Sequence, residues 1–287
     1  MRVRALLADL SELVAFPHTV FALPFALMAT LAAARGWPGT RTLFWVVVAM
    51  VGARTAAMAF NRLVDLQFDA ANPRTCSRPL PSGRLRRGHA WSLVVAGASA
   101  LILAAGQLNW LCLLLSPLAL GWVLTYSFTK RFTAFCHFWL GLGLAIAPVA
   151  GWLAVTGRFA LPPVVLAAAV AFWVAGFDIL YSLQDLGFDR QMGLYSLPAR
   201  LGVGKALWVA RFSHLLAACG FAGFAVLVGT GIWGTLGVGL AWAMLLCQHL
   251  LVGEGRLDRI NAAFFTTNGF LSLSMLVLFA VDMMIGS

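Results

Sequence analysis

Long runs of apolar residues, separated by short polar segments, divide the chain from beginning to end. Each run holds roughly 17–25 residues, the length that an α-helix needs to cross the hydrocarbon core of a bilayer. The runs show no ten-residue alternation of apolar and polar positions, which argues against a membrane β-barrel. The pattern therefore predicts an all-α fold, an integral membrane bundle of nine transmembrane helices. Their predicted ranges are 16–34, 43–63, 90–106, 110–128, 134–154, 161–183, 205–229, 231–252 and 261–284.

Composition and charge agree with a membrane protein. Hydrophobic residues make up 61% of the chain and charged residues 10%, whereas an ordinary soluble domain carries about 25% charged residues. The net charge of +10 does not indicate nucleic acid, because the basic residues lie between the apolar runs. Of the 20 Lys and Arg residues, 15 fall on the amino-terminal side of the predicted bundle, and only Arg35, Arg41 and Arg158 fall on the other. The positive-inside rule then places the amino terminus in the cytoplasm and the carboxy terminus outside. We expect residues 1–287 to form a single transmembrane domain.

Cysteine and histidine patterns predict no separate metal or redox site. The five cysteines are scattered without a Cys-x-x-Cys pair, so we interpret them as small apolar side chains. The five histidines show no spacing typical of metal ligands, and none is assigned a role. Residues 6–13 fit either a short amphipathic helix at the membrane surface or a frayed tail.

The five-residue pattern Asp-Leu-x-Phe-Asp occurs twice, following the second and the sixth predicted helices. Together with Asp178, its four aspartates account for half of the ten acidic residues of the chain; they are Asp65, Asp69, Asp185 and Asp189. Two carboxylates four residues apart on a helix repel each other unless a cation neutralises them. Mg²⁺ fits, because it binds through one or two carboxylates and completes its shell with water and substrate phosphate. The duplication favours two pseudo-repeated halves around a central cytoplasm-facing cavity that holds metal ions and a diphosphate.

Further polar residues extend both candidate half-sites. Helical spacing places Arg54 and Asn61 on the face of the first acid pair, and Asp178 and Tyr181 on the face of the second. The cytoplasmic segments add groups suited to phosphate oxygens; these are Asn72, Arg74, Arg78, Tyr126 and Lys130. Structural explanations stand beside these assignments. A single Asp-x-x-x-Asp is usually a solvated helix end. Arg54 can be the ion-pair partner of one acid, and Lys130 can be a positive charge that only sets the orientation of the neighbouring helices in the membrane.

These motifs resemble those of the UbiA superfamily of intramembrane aromatic prenyltransferases, and the resemblance covers essentially the whole chain. The family pattern Asn-Asp-x-x-Asp-x-x-x-Asp is matched at 61–69, with Arg62 in place of its second residue. The family loop Arg-Thr-x-x-Arg-Pro-Leu-Pro-Ser-Gly is matched at 74–83, and Tyr-x-x-x-Lys at 126–130. The second acidic motif of the family is matched at 185–189. The departure at Arg62 removes one acid that the family places beside its metal ions.

The resemblance implies Mg²⁺-dependent transfer of a polyprenyl group from polyprenyl diphosphate to a small aromatic acid. The enzymes it resembles serve ubiquinone or menaquinone biosynthesis in the inner (cytoplasmic) membrane, so the acceptor is 4-hydroxybenzoate or a naphthoate-type precursor. The residues implied as metal ligands are Asp65, Asp69, Asp185 and Asp189, with Asn61 in support. Those implied to act in catalysis besides the acids are Tyr126 and Lys130. Those implied to bind substrate are Arg54, Asn61, Asn72, Arg74, Arg78, Asp178 and Tyr181.

Two alternatives remain open from the sequence. One is a prenyltransferase of another branch of the superfamily, acting on haem, chlorophyllide or glycerol lipids. The other is an ion transporter in which the acids line an ion path. A transporter places its acids near the middle of the bilayer, whereas these lie at predicted helix ends beside arginines, which favours the enzyme.

Overall fold

The structure, a computed structural model, describes residues 2–14, 21–252, 260 and 263–285. Every regular element within these ranges is a helix, which confirms the predicted all-α membrane fold. A short 3₁₀ turn, Leu183–Asp185, and a π-helical turn, Ala263–Thr267, connect some of the α-helices. The α-helices, numbered along the chain, are α1 Arg2–Leu13, α2 Leu23–Ala34, α3 Thr40–Val64, α4 Leu66–Ala71, α5 Arg87–Leu108, α6 Trp110–Thr129, α7 Cys136–Thr156, α8 Leu161–Ser182, α9 Leu186–Gln191, α10 Leu197–Leu201, α11 Val203–Val228, α12 Ile232–Leu251 and α13 Asn268–Ile285.

Eight segments in the described ranges are long and apolar enough to cross a bilayer. They comprise α3, α5, α6, α7, α8 continued into α9, α11, α12 and α13 with the turn before it. The remaining predicted span, 16–34, corresponds to α2, which is apolar but has only 12 residues. Pro24 lies in its first turn, where a proline is compatible with a helix start, and residues 15–20 are outside the described ranges. The count of nine is therefore approximate.

The chain divides into two compact units. The first unit holds α1, most of α3, and α4 to α6. Within it, α3 and α5 cross closely, because a Cβ added at Gly52 would lie 2.7 Å from the carbonyl oxygen of Gly97. Such contacts between small residues are the usual way in which membrane helices approach each other. Leu13, Ala59 and Val94 belong to the buried core beside this crossing, which confirms that part of the amino-terminal segment is an ordered helix.

The second unit holds α2 and α7 to α13, with α8 at its centre. Helix α8 packs against α7 on one side and α11 on another, and it is the most buried candidate span of the described chain. Trp173 on α8 is fully buried, and its ring lies 5.1 Å from the ring of Phe25 on α2, centroid to centroid. Because α8 is held on several sides, the polar residues near its carboxyl end are placed by a rigid element.

Candidate active site

Both copies of the Asp-Leu-x-Phe-Asp motif fold in the same way. A new six-residue helix begins after the first aspartate, which lies at the N-cap position without a side-chain capping hydrogen bond, and the second aspartate lies in the first turn of that helix. The long helix ends directly before Asp65 in the first copy, whereas the 3₁₀ turn Leu183–Asp185 follows it in the second. The backbone angles agree closely, with φ −89° and ψ 8° at Asp65 and φ −99° and ψ 6° at Asp185. The predicted single helical face is therefore interrupted at the first acid of each copy. Carboxylates in a first helical turn are stabilised by the helix dipole.

In the first unit, neighbouring side chains orient the two acids. Asn61 donates a hydrogen bond from Nδ2 to Oδ2 of Asp65 at 2.9 Å. Arg78 donates from Nη1 to Oδ1 of Asp69 at 2.7 Å, a short charge-assisted contact. Arg62 places its Nη1 3.7 Å from Oδ2 of Asp69. The residue that replaces a family acid is thus a cation beside the second aspartate.

The loop after the first motif is held by its own polar groups. Thr75 donates its hydroxyl to the backbone oxygen of Asp69 at 2.9 Å, and Thr75 is 2% exposed. The backbone N–H of Arg74 donates to Oδ1 of Asn72, which is buried. Asn72 therefore shapes the loop, in addition to the substrate contact predicted for it, whereas Arg74 is exposed.

In the second unit, His137 connects the acidic motif to two other elements. Its Nδ1 lies 2.7 Å from Oδ2 of Asp178, and its Nε2 accepts the backbone N–H of Leu197 at 3.2 Å. Because Nε2 is an acceptor, the ring proton lies on Nδ1 and is donated to Asp178. His137 is fully buried and joins the beginning of α7, the end of α8 and the beginning of α10. The role of His137 could not be predicted from the sequence, because 41 positions separate it from Asp178 and no local spacing links them.

Lys130 follows the last residue of α6 and faces the acids of its own unit. Burial opposes its positive charge, but nearby carboxylates, with Asp189 the strongest, outweigh this effect and raise the pKa of Lys130 above its ordinary value. Its backbone oxygen accepts the N–H of Tyr195 at 2.7 Å, which ties the segment to the loop after α9. A lysine that stays charged is suited to bind an anion. The predicted pairing of Lys130 with Tyr126, which is half-buried at the end of α6, remains a prediction.

The remaining predicted residues lie near the ends of the long helices or within them. The ring of Tyr181 packs against that of Phe264, with centroids 4.2 Å apart and the ring planes tilted by 34°. Arg54 lies in α3, and its Nε is buried without a hydrogen-bond partner among the described residues. The structure therefore shows intramolecular contacts for most predicted site residues, and the substrate and metal contacts of all of them stay predictions.

One oxygen in each motif is suited to a metal ion. Oδ2 of Asp69 and Oδ2 of Asp189 are buried, and neither has a hydrogen-bond partner in the part of the chain that the structure describes. Asp69 is 8% exposed and Asp189 2%. A buried carboxylate oxygen without a donor is costly, and a hard cation with oxygen ligands removes that cost. The donor set fits Mg²⁺.

No group of three or more His, Cys, Asp or Glu side chains within the described ranges is arranged to hold a metal ion. Each acid pair therefore resembles the partial sites in which Mg²⁺ uses one or two carboxylates and takes further oxygens from water and phosphate. That both pairs act on one diphosphate remains a prediction from the duplicated motif.

Comparison with known proteins agrees with these features. The model of the UbiA prenyltransferase family matches residues 22–273. The 4-hydroxybenzoate octaprenyltransferase of Vibrio atlanticus (strain LGP32) is 30% identical over 236 residues, which cover 81% of this chain and 80% of that protein.

Solved structures show the same fold. The apo structure of a UbiA homolog from Aeropyrum pernix K1 superposes with a TM-score of 0.85 and 34% identity, over 93% of this chain and 98% of that one. A UbiA homolog from Archaeoglobus fulgidus bound to GPP and Mg²⁺ gives a TM-score of 0.75 at 19% identity, over 96% and 99% of the two chains.

Proposed function

Since the chain belongs to the UbiA prenyltransferase family, we propose that it transfers a polyprenyl group from polyprenyl diphosphate to 4-hydroxybenzoate, with Mg²⁺ at the acidic motifs. The relative from Vibrio atlanticus carries the name of this activity. A naphthoate-type acid is the other acceptor that the sequence left open. As a multi-pass membrane enzyme it would act in the inner membrane, with its amino terminus in the cytoplasm.

The observation that carries the proposal is the pair of buried oxygens, Oδ2 of Asp69 and Oδ2 of Asp189, that accept no hydrogen bond among the described residues. Both belong to motifs with the same backbone shape, and both have a cation in their own unit, Arg78 for the first and Lys130 for the second. In each unit an acid suited to a metal ion thus accompanies a cation suited to an anion, and this combination suits a metal–diphosphate complex better than a free ion. The long helices end just before these motifs, which favours the enzyme over an ion transporter.

The residues of the chain would have different roles in this reaction. Asn61 holds Asp65, and Arg78 holds Asp69, so that the carboxylate oxygens are preorganised for cations. Arg78 and Lys130 would stabilise the negative charge that develops on the departing diphosphate. When bound, Mg²⁺ would supply further charge neutralisation to the leaving group. Asp178 is held by His137 and would keep its carboxylate fixed near the second motif.

The proposed reaction breaks one bond and forms one. The carbon–oxygen bond of the prenyl diphosphate breaks, and its electron pair leaves with the diphosphate, giving an allylic cation. A π electron pair of the ring, at the carbon next to the one bearing the hydroxyl, forms the new carbon–carbon bond. The same ring carbon then loses its proton, which restores aromaticity. The products are the prenylated acid, diphosphate and one proton.

Product analysis tests this proposal. Membranes that contain the protein are supplied with geranyl diphosphate, Mg²⁺ and either 4-hydroxybenzoate or a hydroxynaphthoate, and the lipid extract is analysed by mass spectrometry. The proposal predicts a product whose mass equals acid plus prenyl diphosphate minus diphosphoric acid, formed with 4-hydroxybenzoate and absent without metal. A product formed only with the hydroxynaphthoate would identify that acid as the acceptor. The absence of a product with both acids would refute aromatic prenylation.

A further inference from the structure

A chain of hydrogen bonds crosses the interior of the second unit. The indole N–H of Trp173 on α8 donates to Oδ1 of Asn268 on α13 at 2.9 Å. Gln248 on α12 donates from Nε2 to the same Oδ1 at 2.6 Å. Nδ2 of Asn268 donates to the backbone oxygen of Phe264 at 2.9 Å. Trp173, Asn268 and Gln248 are each at most 1% exposed.

This network fixes the orientation of the Gln248 amide. Nδ2 of Asn268 is committed to a carbonyl, so the atom that faces Trp173 and Gln248 is the acceptor Oδ1. Only a donor can approach that acceptor, and Gln248 must therefore present its NH₂ group to Asn268. The carbonyl oxygen Oε1 of Gln248 points elsewhere. It is buried, and no described residue donates a hydrogen bond to it.

Gln248 lines a narrow gap, and the other described residues around it are apolar or aromatic. The residues around the gap are Phe177, Leu180, Tyr181, Gln248, Ile260 and Phe264. Phe177 and Phe264 meet edge to face at 5.2 Å, and Phe264 belongs to the π-helical turn, a local geometry found frequently at functional sites. An unpaired acceptor in such surroundings is costly, and a ligand with a hydroxyl donor would satisfy it.

The gap is also close to the second acidic motif. Tyr181 precedes Asp185 by four residues, which is one helical turn or about 6 Å along the axis. An aromatic ring that packs against Tyr181 and Phe264 would lie within about one turn of the acids proposed to hold the diphosphate. Because the gap is narrow, the ring of Phe264 would have to move aside as the ligand enters.

From these observations we propose that this gap is the subsite for the hydroxylated end of the aromatic acceptor, with Oε1 of Gln248 accepting a hydrogen bond from the ring hydroxyl. This inference rests on the proposed function, which supplies the aromatic acceptor. When the ring attacks the allylic cation, positive charge spreads to the hydroxyl oxygen and makes its proton a stronger donor. The Gln248 carbonyl then stabilises the transition state more than the bound substrate.

The test compares two ligands that differ only in the hydroxyl. Equilibrium binding of labelled 4-hydroxybenzoate and labelled benzoate is measured on the purified protein with Mg²⁺ and an unreactive prenyl thiodiphosphate. We expect the wild type to bind 4-hydroxybenzoate about tenfold more tightly, as one hydrogen bond to a buried acceptor provides. In Gln248→Leu this ratio falls to about one. In Gln248→Glu, whose protonated carboxyl can donate to Asn268 and still present an oxygen, the preference is retained.

Trp173→Phe is the matched control, because it removes the other donor to Asn268 but leaves the Gln248 carbonyl in place. It should lower the thermal stability and keep the tenfold ratio. A ratio that is unchanged in Gln248→Leu, or absent in the wild type, overturns the subsite. If Gln248→Leu does not fold, loss of the preference in Gln248→Glu overturns it as well. The failure of the proposed function is seen separately, as the absence of any prenylated 4-hydroxybenzoate from wild-type membranes.

Discussion

Replacing His137 by Phe tests how the second acidic motif is held in place. Phe has a planar ring somewhat larger than that of histidine but can make neither of its hydrogen bonds. The bond to the Asp178 carboxylate has a charged acceptor and is worth about 1.5–3 kcal/mol. The bond from the Leu197 N–H resembles other hydrogen bonds between membrane segments, at about 0.6–1.7 kcal/mol. The expected loss of stability is therefore about 2–5 kcal/mol.

The loss of activity should exceed what unfolding explains. His137 touches no proposed substrate atom and acts through Asp178 and the loop before α10, so it is a positioning residue. Removal of such a support typically costs 10–100-fold. We expect prenyl transfer by folded His137→Phe to fall at least about tenfold, with a larger change in kcat than in the KM for prenyl diphosphate.

The assay combines thermal unfolding in detergent with initial rates, both normalised to folded protein. His89→Phe is the matched control, because His89 accepts a hydrogen bond from the backbone of Arg86 at an exposed helix start. It should leave the rate unchanged. A His137→Phe protein that is as stable and as active as the wild type would refute the bridging role. His137→Asn, which can still donate a hydrogen bond, should recover part of the activity.

Three other predictions follow from the charges of the site. Chelation of divalent metal should abolish prenyl transfer, and added Mg²⁺ should restore it in the wild type. In Asp69→Asn and Asp189→Asn, the rate at saturating metal should stay at least about 100-fold lower. Restored rates in both variants would remove these acids from the site. Lys130→Met should raise the KM for prenyl diphosphate at least about tenfold. Because the pKa of Lys130 is raised, its charge is retained below the ordinary lysine pKa of about 10.4 and is lost only as pH rises through the higher folded pKa. The effect of Lys130→Met on KM should therefore be constant from about pH 6 to 9. A change of that effect with pH inside this window would contradict the prediction. Arg78→Ala should lower activity, because Arg78 pairs with Asp69. Arg84→Ala breaks exposed contacts to Asp9 and Glu12 and should leave activity unchanged. Equal losses of activity in the two variants would assign both arginines to the stability of the loop.

The apolar pattern alone predicted most of the long helices. Helix α8 was expected at 161–183 and occupies Leu161–Ser182, and α12 was expected at 231–252 and occupies Ile232–Leu251. A helix in a bilayer must satisfy its own backbone hydrogen bonds, so the length of an apolar run sets the length of the helix. The short α2 is the exception within the described ranges: it begins at Leu23, with Pro24 in its first turn.

The finer geometry of the site required the structure. Periodicity treats a helix as continuous, so it did not predict the breaks at Asp65 and Asp185, where the capping conformation is set by local backbone angles. The pairing of Arg62 with Asp69 was also hidden, because the family pattern places an acid at position 62. Gln248 carried no sequence signal at all. The orientation of its buried carbonyl, which accepts no hydrogen bond among the described residues, follows only from hydrogen bonds to residues distant in the chain.

The most direct test of the central claim is a crystal structure with Mn²⁺ and an unreactive prenyl thiodiphosphate, in which anomalous scattering locates the metal ions. The account predicts Mn²⁺ peaks at about 2.0–2.3 Å from carboxylate oxygens of both Asp69 and Asp189, with diphosphate oxygens completing the shells. Metal bound by only one of the two motifs, or a diphosphate bound away from both, would contradict it.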